Sequence, residues 1–314
     1  MFQTSLEVVD SHRGIELYRV HGEDSALLTN KLRELASPHL PEVVFPGPMP
    51  VSVDTADFPK LAEQPYRVAE KTDGVRFVLM VAVVKGVGVA VLFDRKLCPY
   101  VFELDKCPKA LYQGTVFDGE LVRNTETGGL HYAIFDAVIV SGFPISRSNF
   151  VERTMAAATS LEFYAPTPSD TAVLGVKTFH ATPDFPPDPR FVSDGYIFMP
   201  MVQGIVFGKH DRLFKLKTHH TVDFTTKGGK LWIFDEKTRR SRLAGVPVDP
   251  YTVDGDIVEC ELARDAEKMA AMKWRVLAKR TDKTTSNSNF VLQKTLLNIR
   301  ENLTYTDVVR RVTM

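Results

Sequence analysis

Ala69-Glu70-Lys71-Thr72-Asp73-Gly74-Val75-Arg76 stands between a polar approach, Gln64-Pro65-Tyr66, and a strongly apolar run over 77–84. A lysine at the mouth of a strand, then Asp-Gly, then an arginine, suits a nucleophile that attacks phosphorus. An amine attacks only unprotonated, so its ordinary pKa of about 10.4 must be brought down. Burial and neighbouring cations do that by disfavouring the ammonium form. The glycine would let the backbone turn beside a bound nucleotide, and the arginine fork would reach phosphate or ribose oxygens. The same letters also fit an ordinary Asp-Gly hairpin turn carrying surface charge.

Outward from this stretch, β-signals dominate: 66–69, 76–84, 88–93, 100–104, 115–123 and 130–140, separated by turn residues such as Lys85-Gly86 and Thr127-Gly128-Gly129. Before it lie alternating apolar positions over 6–20, a helix over 25–35 and a proline-rich connector over 37–50, followed by a short helix near 57–63. After it the spacing predicts a helix over 149–163 with Phe150, Met155, Ala158 and Leu161 inward. Strands follow at 171–179, 195–198, 204–207 and 213–216. Composition shifts at 219–226. Short strands at 230–234, 242–243, 257–262 and 274–279 then suit a small Greek-key barrel of the OB type. A last helix spans 289–302, with Ser288 or Asn289 as cap. The expected division is a first domain over 1–222, a barrel domain over 223–302 and a tail over 303–314 with room to pack back on the first.

The 314 residues carry 39 basic and 39 acidic side chains, so any polyanion site must be a local patch. Lys227, Lys230, Lys237, Arg239, Arg240 and Arg242 form such a cluster, able to track an RNA backbone or simply to solvate a face. Three cysteines without a CxxC pair imply a reduced, intracellular compartment, and His219-His220 has no partners at zinc-ligand spacing. The start, Met1-Phe2-Gln3-Thr4-Ser5, does not read as a signal peptide. The longest apolar stretch, 77–93, is broken by Lys85 and reads as a hairpin, so no membrane role is expected.

Five further segments place polar groups in or beside apolar strands: Val116-Phe117-Asp118-Gly119-Glu120-Leu121-Val122, Tyr132-Ala133-Ile134-Phe135-Asp136-Ala137-Val138, Ser193-Asp194-Gly195-Tyr196-Ile197-Phe198, Leu213-Phe214-Lys215-Leu216-Lys217-Thr218, and 274–287 with Arg280-Thr281-Asp282-Lys283. Singly, each fits a turn or a solvated strand face. Together, and in this order, they resemble the covalent nucleotidyltransferase superfamily, specifically mRNA capping guanylyltransferases, over residues 70–287. Thr72 after the lysine and the Asp-Gly-Tyr-Ile-Phe and Leu-Phe-Lys-Leu-Lys-Thr forms look more like capping enzymes than polynucleotide ligases. Ser286 departs from the proline that many capping enzymes carry before the asparagine.

The resemblance implies an α+β fold: a nucleotidyltransferase domain of ATP-grasp-like antiparallel sheets, then an OB-fold barrel. It implies GTP as substrate, a lysyl–GMP at Lys71, and transfer of GMP to the 5′-diphosphate end of RNA. Arg76 and Glu120 would hold the ribose. Phe135 and Ile197 would sandwich the purine, and Lys177 would meet guanine O6. Lys215 and Lys217 would contact the α-phosphate, with Glu70 and Asp73 also lining the nucleotide site. Asp194, then Glu120, would contact Mg2+ or Mn2+. Arg280, Asp282 and Lys283 would close over the β- and γ-phosphates. The alternative is an ATP-dependent DNA or RNA ligase using the same lysine. RNA triphosphatase and cap methyltransferase would be separate chains or domains. The compactness resembles capping enzymes of large DNA viruses, with cytoplasm, viral factory, nucleus or virion as settings.

Overall fold

A computed structural model describes every residue except 1, 11–12, 37–44, 182–183, 186–187, 252, 264–272, 281–282 and 313–314. In chain order the first strands are β1 (Thr4–Asp10) and β2 (Ile15–Val20), then helix α1 (Gly22–Ala36), β3 (Pro48–Ser52) and helix α2 (Phe58–Ala62). Next come β4 (Tyr66–Thr72), β5 (Val75–Val84), β6 (Val87–Phe93), β7 (Pro99–Val101), β8 (Gln113–Arg123), β9 (Leu130–Val140) and β10 (Phe143–Pro144). Helix α3 (Phe150–Ser160) precedes β11 (Val173–Val176), β12 (Ser193–Pro200) and β13 (Gly208–Lys217). The remaining strands are β14 (Thr221–Lys227), β15 (Lys230–Asp235), β16 (Arg240–Pro247), β17 (Ile257–Leu262) and β18 (Lys273–Lys279). Helices α4 (Asn289–Glu301) and α5 (Tyr305–Val309) come last.

Chain contacts separate two compact units: Met1–Val51 with Asp57–Leu216 and Val308–Met314, and Ser52–Ala56 with Lys217–Asp307. In the first, a nine-stranded sheet runs β1-β2-β7-β6-β5-β8-β9-β10, with β11 added parallel to β9. A second, four-stranded sheet runs β3-β13-β12-β4. β5 is apolar at every position from Phe77 to Ala82 because both its faces are covered. Phe77, Leu79 and Val81 enter one core with Phe117, Leu121 and Tyr132, whereas Val78, Met80 and Ala82 enter another with Leu28 and Leu32 of α1. Lys85 and Gly86, both at positive φ (49° and 78°), close the β5–β6 hairpin as a two-residue turn.

Asp73-Gly74 is not a hairpin turn. β4 belongs to the four-stranded sheet and β5 to the nine-stranded one, so these residues carry the chain from one sheet to the other. Nor does Gly74 serve a left-handed turn: a Cβ there would stand 2.6 Å from the Leu121 carbonyl oxygen, so the position is glycine because β8 passes against it.

Other expectations shift. Residues 204–207 form no strand, and the segment at 171–179 pairs only over Val173–Val176. Part of the proline-rich connector forms β3, an edge strand of the four-stranded sheet, where proline is tolerated. α3 turns Phe150, Arg153 and Ala157 inward and leaves Met155 63% exposed, because Arg153 rather than an apolar residue anchors the helix.

The second unit is a closed barrel, β14-β15-β16-β18-β17, filled by Val222, Phe224, Leu231, Ile233, Val258 and Trp274. Leu292 of α4 packs into the same core. Ser288 caps α4 by accepting from the Val291 amide at 3.4 Å, and Asn302 ends it in the left-handed region.

Candidate active site

Lys71 lies one residue from the end of β4, whose partner β12 carries an extra residue between Ser193 and Tyr196. Thr72 faces Ser193 and Glu70 faces Tyr196, so the bulge holds Asp194 and Gly195. Gly195 has φ 149°, which a side chain would resist. The consequence is a contact: Lys71 Nζ donates to Asp194 Oδ1 at 2.7 Å, with both side chains 22% exposed. The nearest partner of the amine is therefore a carboxylate rather than a cation.

Thr72, the next residue, joins the two sheets. Its hydroxyl donates to Glu120 Oε2 of β8 and accepts from Lys177 Nζ at 2.9 Å. Lys177 follows β11 directly, and its backbone amide donates to the Ile134 carbonyl of β9 at 2.7 Å. It is half-buried rather than solvated. Burial pushes its ammonium down from the usual lysine range; Glu120 opposes that, Lys71 adds to it, and Glu70 and Asp194 oppose it more weakly. Lys71, Thr72, Glu120, Lys177 and Asp194 thus form one electrostatic cluster where β4, β8 and β12 meet the residue that follows β11.

Several other expected site residues have internal partners. Arg76 is 8% exposed and grips Asp118, Nε to Oδ1 at 2.9 Å with a second contact to Oδ2, while its third nitrogen donates to the Pro48 carbonyl at 2.7 Å. Its guanidinium also lies over the rings of Phe45 and Phe135, at 4.9 and 5.3 Å. Its fork is thus turned to Asp118 instead of being open to a ribose. Burial pushes the Asp118 carboxyl up to about 6 against the opposing pull of Arg76. Asp73 is held by Arg13, which also bonds its carbonyl at 2.9 Å, so it braces the crossover. Glu70 accepts from the Asp188 amide at 2.9 Å.

Phe135 and Ile197 are both half-buried; Ile197 packs against the cluster of Phe150, Met199 and Leu213. Lys215 is half-buried on β13, separated from β4 by β12. Lys217 ends β13 and begins the second compact unit. In that unit, Arg280 and Lys283 both bind the buried Asp223, Arg280 at 3.2 Å, and Arg280 also reaches Glu259 at 3.5 Å. Asp282 lies outside the described residues. Among the described residues no group of three or more His, Cys, Asp or Glu side chains is gathered to hold a metal. Sequence reasoning gave Thr72 no role in the site, since a threonine signals nothing until its neighbours in space are known. The Arg76–Asp118 pair was equally hidden, although the two acids of the Asp118-Gly119-Glu120 segment marked the strand.

With this geometry in view, the family models give a class. The family model described as mRNA capping enzyme, catalytic domain, matches residues 13–219, and that described as mRNA capping enzyme, C-terminal domain, matches residues 204–309. The chain belongs to the mRNA capping enzyme family.

Among curated relatives, the mRNA-capping enzyme subunit alpha of Candida glabrata is 30% identical over 240 residues, covering 64% of this chain and 52% of the relative. That of Kluyveromyces lactis is 31% identical, covering 63% and 51%. That of Schizosaccharomyces pombe is 26% identical, covering 85% and 80%. The chain thus spans about half the length of the first and second of these relatives. Among solved structures, a mycobacterial DNA ligase D complexed with ATP and MES aligns at 13% identity and TM-score 0.44, covering 76% of this chain and 95% of that one.

Proposed function

We propose that this chain is an mRNA guanylyltransferase whose nucleophile is Lys71. The observation that carries the reading is the 2.7 Å contact of the Lys71 amine with Asp194, set beside the half-buried Lys177 and its partner Thr72 in a chain of the capping family. In the first step the Lys71 nitrogen, having lost a proton, bonds to the α-phosphorus of GTP. The bond from that phosphorus to the bridging oxygen breaks, and pyrophosphate leaves. In the second step a terminal phosphate oxygen of 5′-diphosphate RNA attacks the same phosphorus, the nitrogen–phosphorus bond breaks, and the amine regains a proton.

Asp194 orients the amine. Lys215 supplies positive charge near the phosphates, and the Lys177 ammonium offers a donor to guanine O6, which adenine would not satisfy. Phe135 offers a face to the purine. Asp194 and Glu120 bring hard carboxylate oxygens to one cluster, a donor set that fits Mg2+ or Mn2+ with phosphate and water as the remaining ligands. Such an ion, when bound, neutralises charge on the reacting phosphates. Arg280, Asp282, Lys283 and Lys217 remain candidates for contacts to the phosphates. RNA triphosphatase and cap methyltransferase are expected on other chains or domains. No described helix is long and apolar enough to cross a membrane, and an intracellular setting suits the three free thiols.

The ligase alternative requires ATP; matches to capping-enzyme models in both parts of the chain favour GTP. Incubation with α-labelled GTP or ATP and a divalent metal tests this. Label should be retained from GTP, survive base, be released by acid, and be absent in Lys71→Met. Retention only from ATP would reverse the assignment.

A further inference from the structure

The second compact unit carries a group of cations that make no close ion pair, although Arg242 has a carboxylate, Asp235, within electrostatic reach. Lys227, Lys230, Lys237, Arg239, Arg240 and Arg242 are all exposed. None of them makes an ion pair with a described carboxylate, whereas Arg275, Lys279, Arg280, Lys283 and Lys294 of the same unit all do. Lys227 and Lys230 even stand directly across from each other at the β14–β15 turn, where like charges cost stability. In a chain with equal numbers of acids and bases, this concentration is local.

Apolar surface accompanies the charge. Leu231 and Ile233 of β15 point into the barrel, so by alternation Lys230, Trp232 and Phe234 share its outer face. Phe234 is 43% exposed, and Leu243, opposite Trp232 on β16, is 47% exposed. Trp232 Nε1 donates to the Lys227 carbonyl at 3.1 Å, which fixes its indole against the turn. Arg240 and Arg242 stand across from Asp235 and Ile233 and share their face, whereas Ser241 and Leu243, across from Phe234 and Trp232, extend the outer face onto β16. Aromatic rings among cations on a barrel face are what an unstacked polynucleotide uses: phosphates meet the cations and bases lie on the rings.

We propose that the outer face of β14–β16 is the path of a single-stranded RNA. Its phosphates run along Lys227 and Lys230 at the β14–β15 turn, and its bases stack on Phe234 and Trp232. This rests on the reading of the chain as a transferase to RNA, but it can fail separately.

The test is anisotropy titration of the whole protein with a 3′-labelled RNA carrying a 5′-diphosphate, over a salt series, with lysyl–GMP formation measured on the same samples. Lys227→Ala/Lys230→Ala should weaken binding roughly ten-fold near 0.1 M salt and reduce the slope of log affinity against log salt by about 1.4. Phe234→Leu, which keeps apolar bulk, should weaken single-stranded RNA roughly five-fold and a duplex of the same sequence far less. Both variants should form the GMP adduct as the parent does. Unchanged RNA affinity in both would overturn the proposal. So would loss confined to the lysine variant and matched by polyglutamate, which would mark a surface for an acidic protein. Absence of the adduct in the parent, with RNA binding still dependent on these residues, would remove the transferase reading and leave the surface standing.

Discussion

Arg76 shows how one residue can carry a motif for a structural reason. Its guanidinium is matched to Asp118 in a place almost without solvent, and a carboxylate buried there needs a cation. Burial places the folded Asp118 carboxyl at about 6, above its unfolded value of 3.8. The native state therefore binds more protons than the unfolded one between those values, and stability from this group falls as pH rises through that window. Removing Arg76 moves the carboxyl further up and extends the loss to higher pH. Arg76→Met is expected to destabilise the protein by about 3–5 kcal/mol at pH 8 and by clearly less at pH 5.5. Urea midpoints at the two pH values measure it; an equal loss at both would mean that Asp118 is not the group left exposed to the change.

At the scale of elements, α3 is fastened by charge. Arg153 donates to both oxygens of Asp136 on β9, at 2.6 and 2.9 Å, and to the carbonyls of Ser148 and Gln203, at 2.7 and 2.9 Å. Asn149 and Glu152 close a capping box at the start of the helix. Asn149→Ala should lower stability by about 1 kcal/mol and Arg153→Met by about 3–5 kcal/mol, since the latter strands Asp136. Thermal unfolding of the single variants separates the two; a loss for Arg153→Met no larger than that for Asn149→Ala would show that the pair contributes little. Apolar spacing located this helix and its inward Phe150 and Leu161, but misplaced Met155 and Ala158, which are exposed, because it cannot foresee a buried Arg153. The strands were easier to find: β5 and β9 are long β-branched and aromatic runs, and a run of that kind needs no partner to be visible. What stayed hidden was which sheet each strand joins, since β4 and β5 are separated by Asp73-Gly74 alone and part company there.

Across the whole molecule, the division into units is not a single cut. Ser52–Ala56 groups with Lys217–Asp307, and no break in composition announces such a short excursion. The reason lies in α4. Asn298, a buried polar residue, donates from Nδ2 to the Val53 carbonyl at 2.7 Å. Lys294 pairs with Asp54, and Glu301 accepts from the amide and hydroxyl of Thr55, at 3.0 and 2.5 Å. The carboxylate of the ion pair is itself buried, so pair and amide both hold the segment, and losing the Asn298 amide leaves the Val53 carbonyl without its partner. Asn298→Ala in the full chain should therefore cost about 1–3 kcal/mol locally, seen as amide exchange in α4 faster by roughly ten-fold or more, while the β5 and β8 amides keep their protection. A fragment over 217–307, lacking the segment altogether, should exchange in α4 faster still. If α4 in Asn298→Ala exchanges at the parental rate, and in the 217–307 fragment as well, the helix is held by Leu292 and the barrel core alone, and residues 52–56 are a passenger rather than a strap.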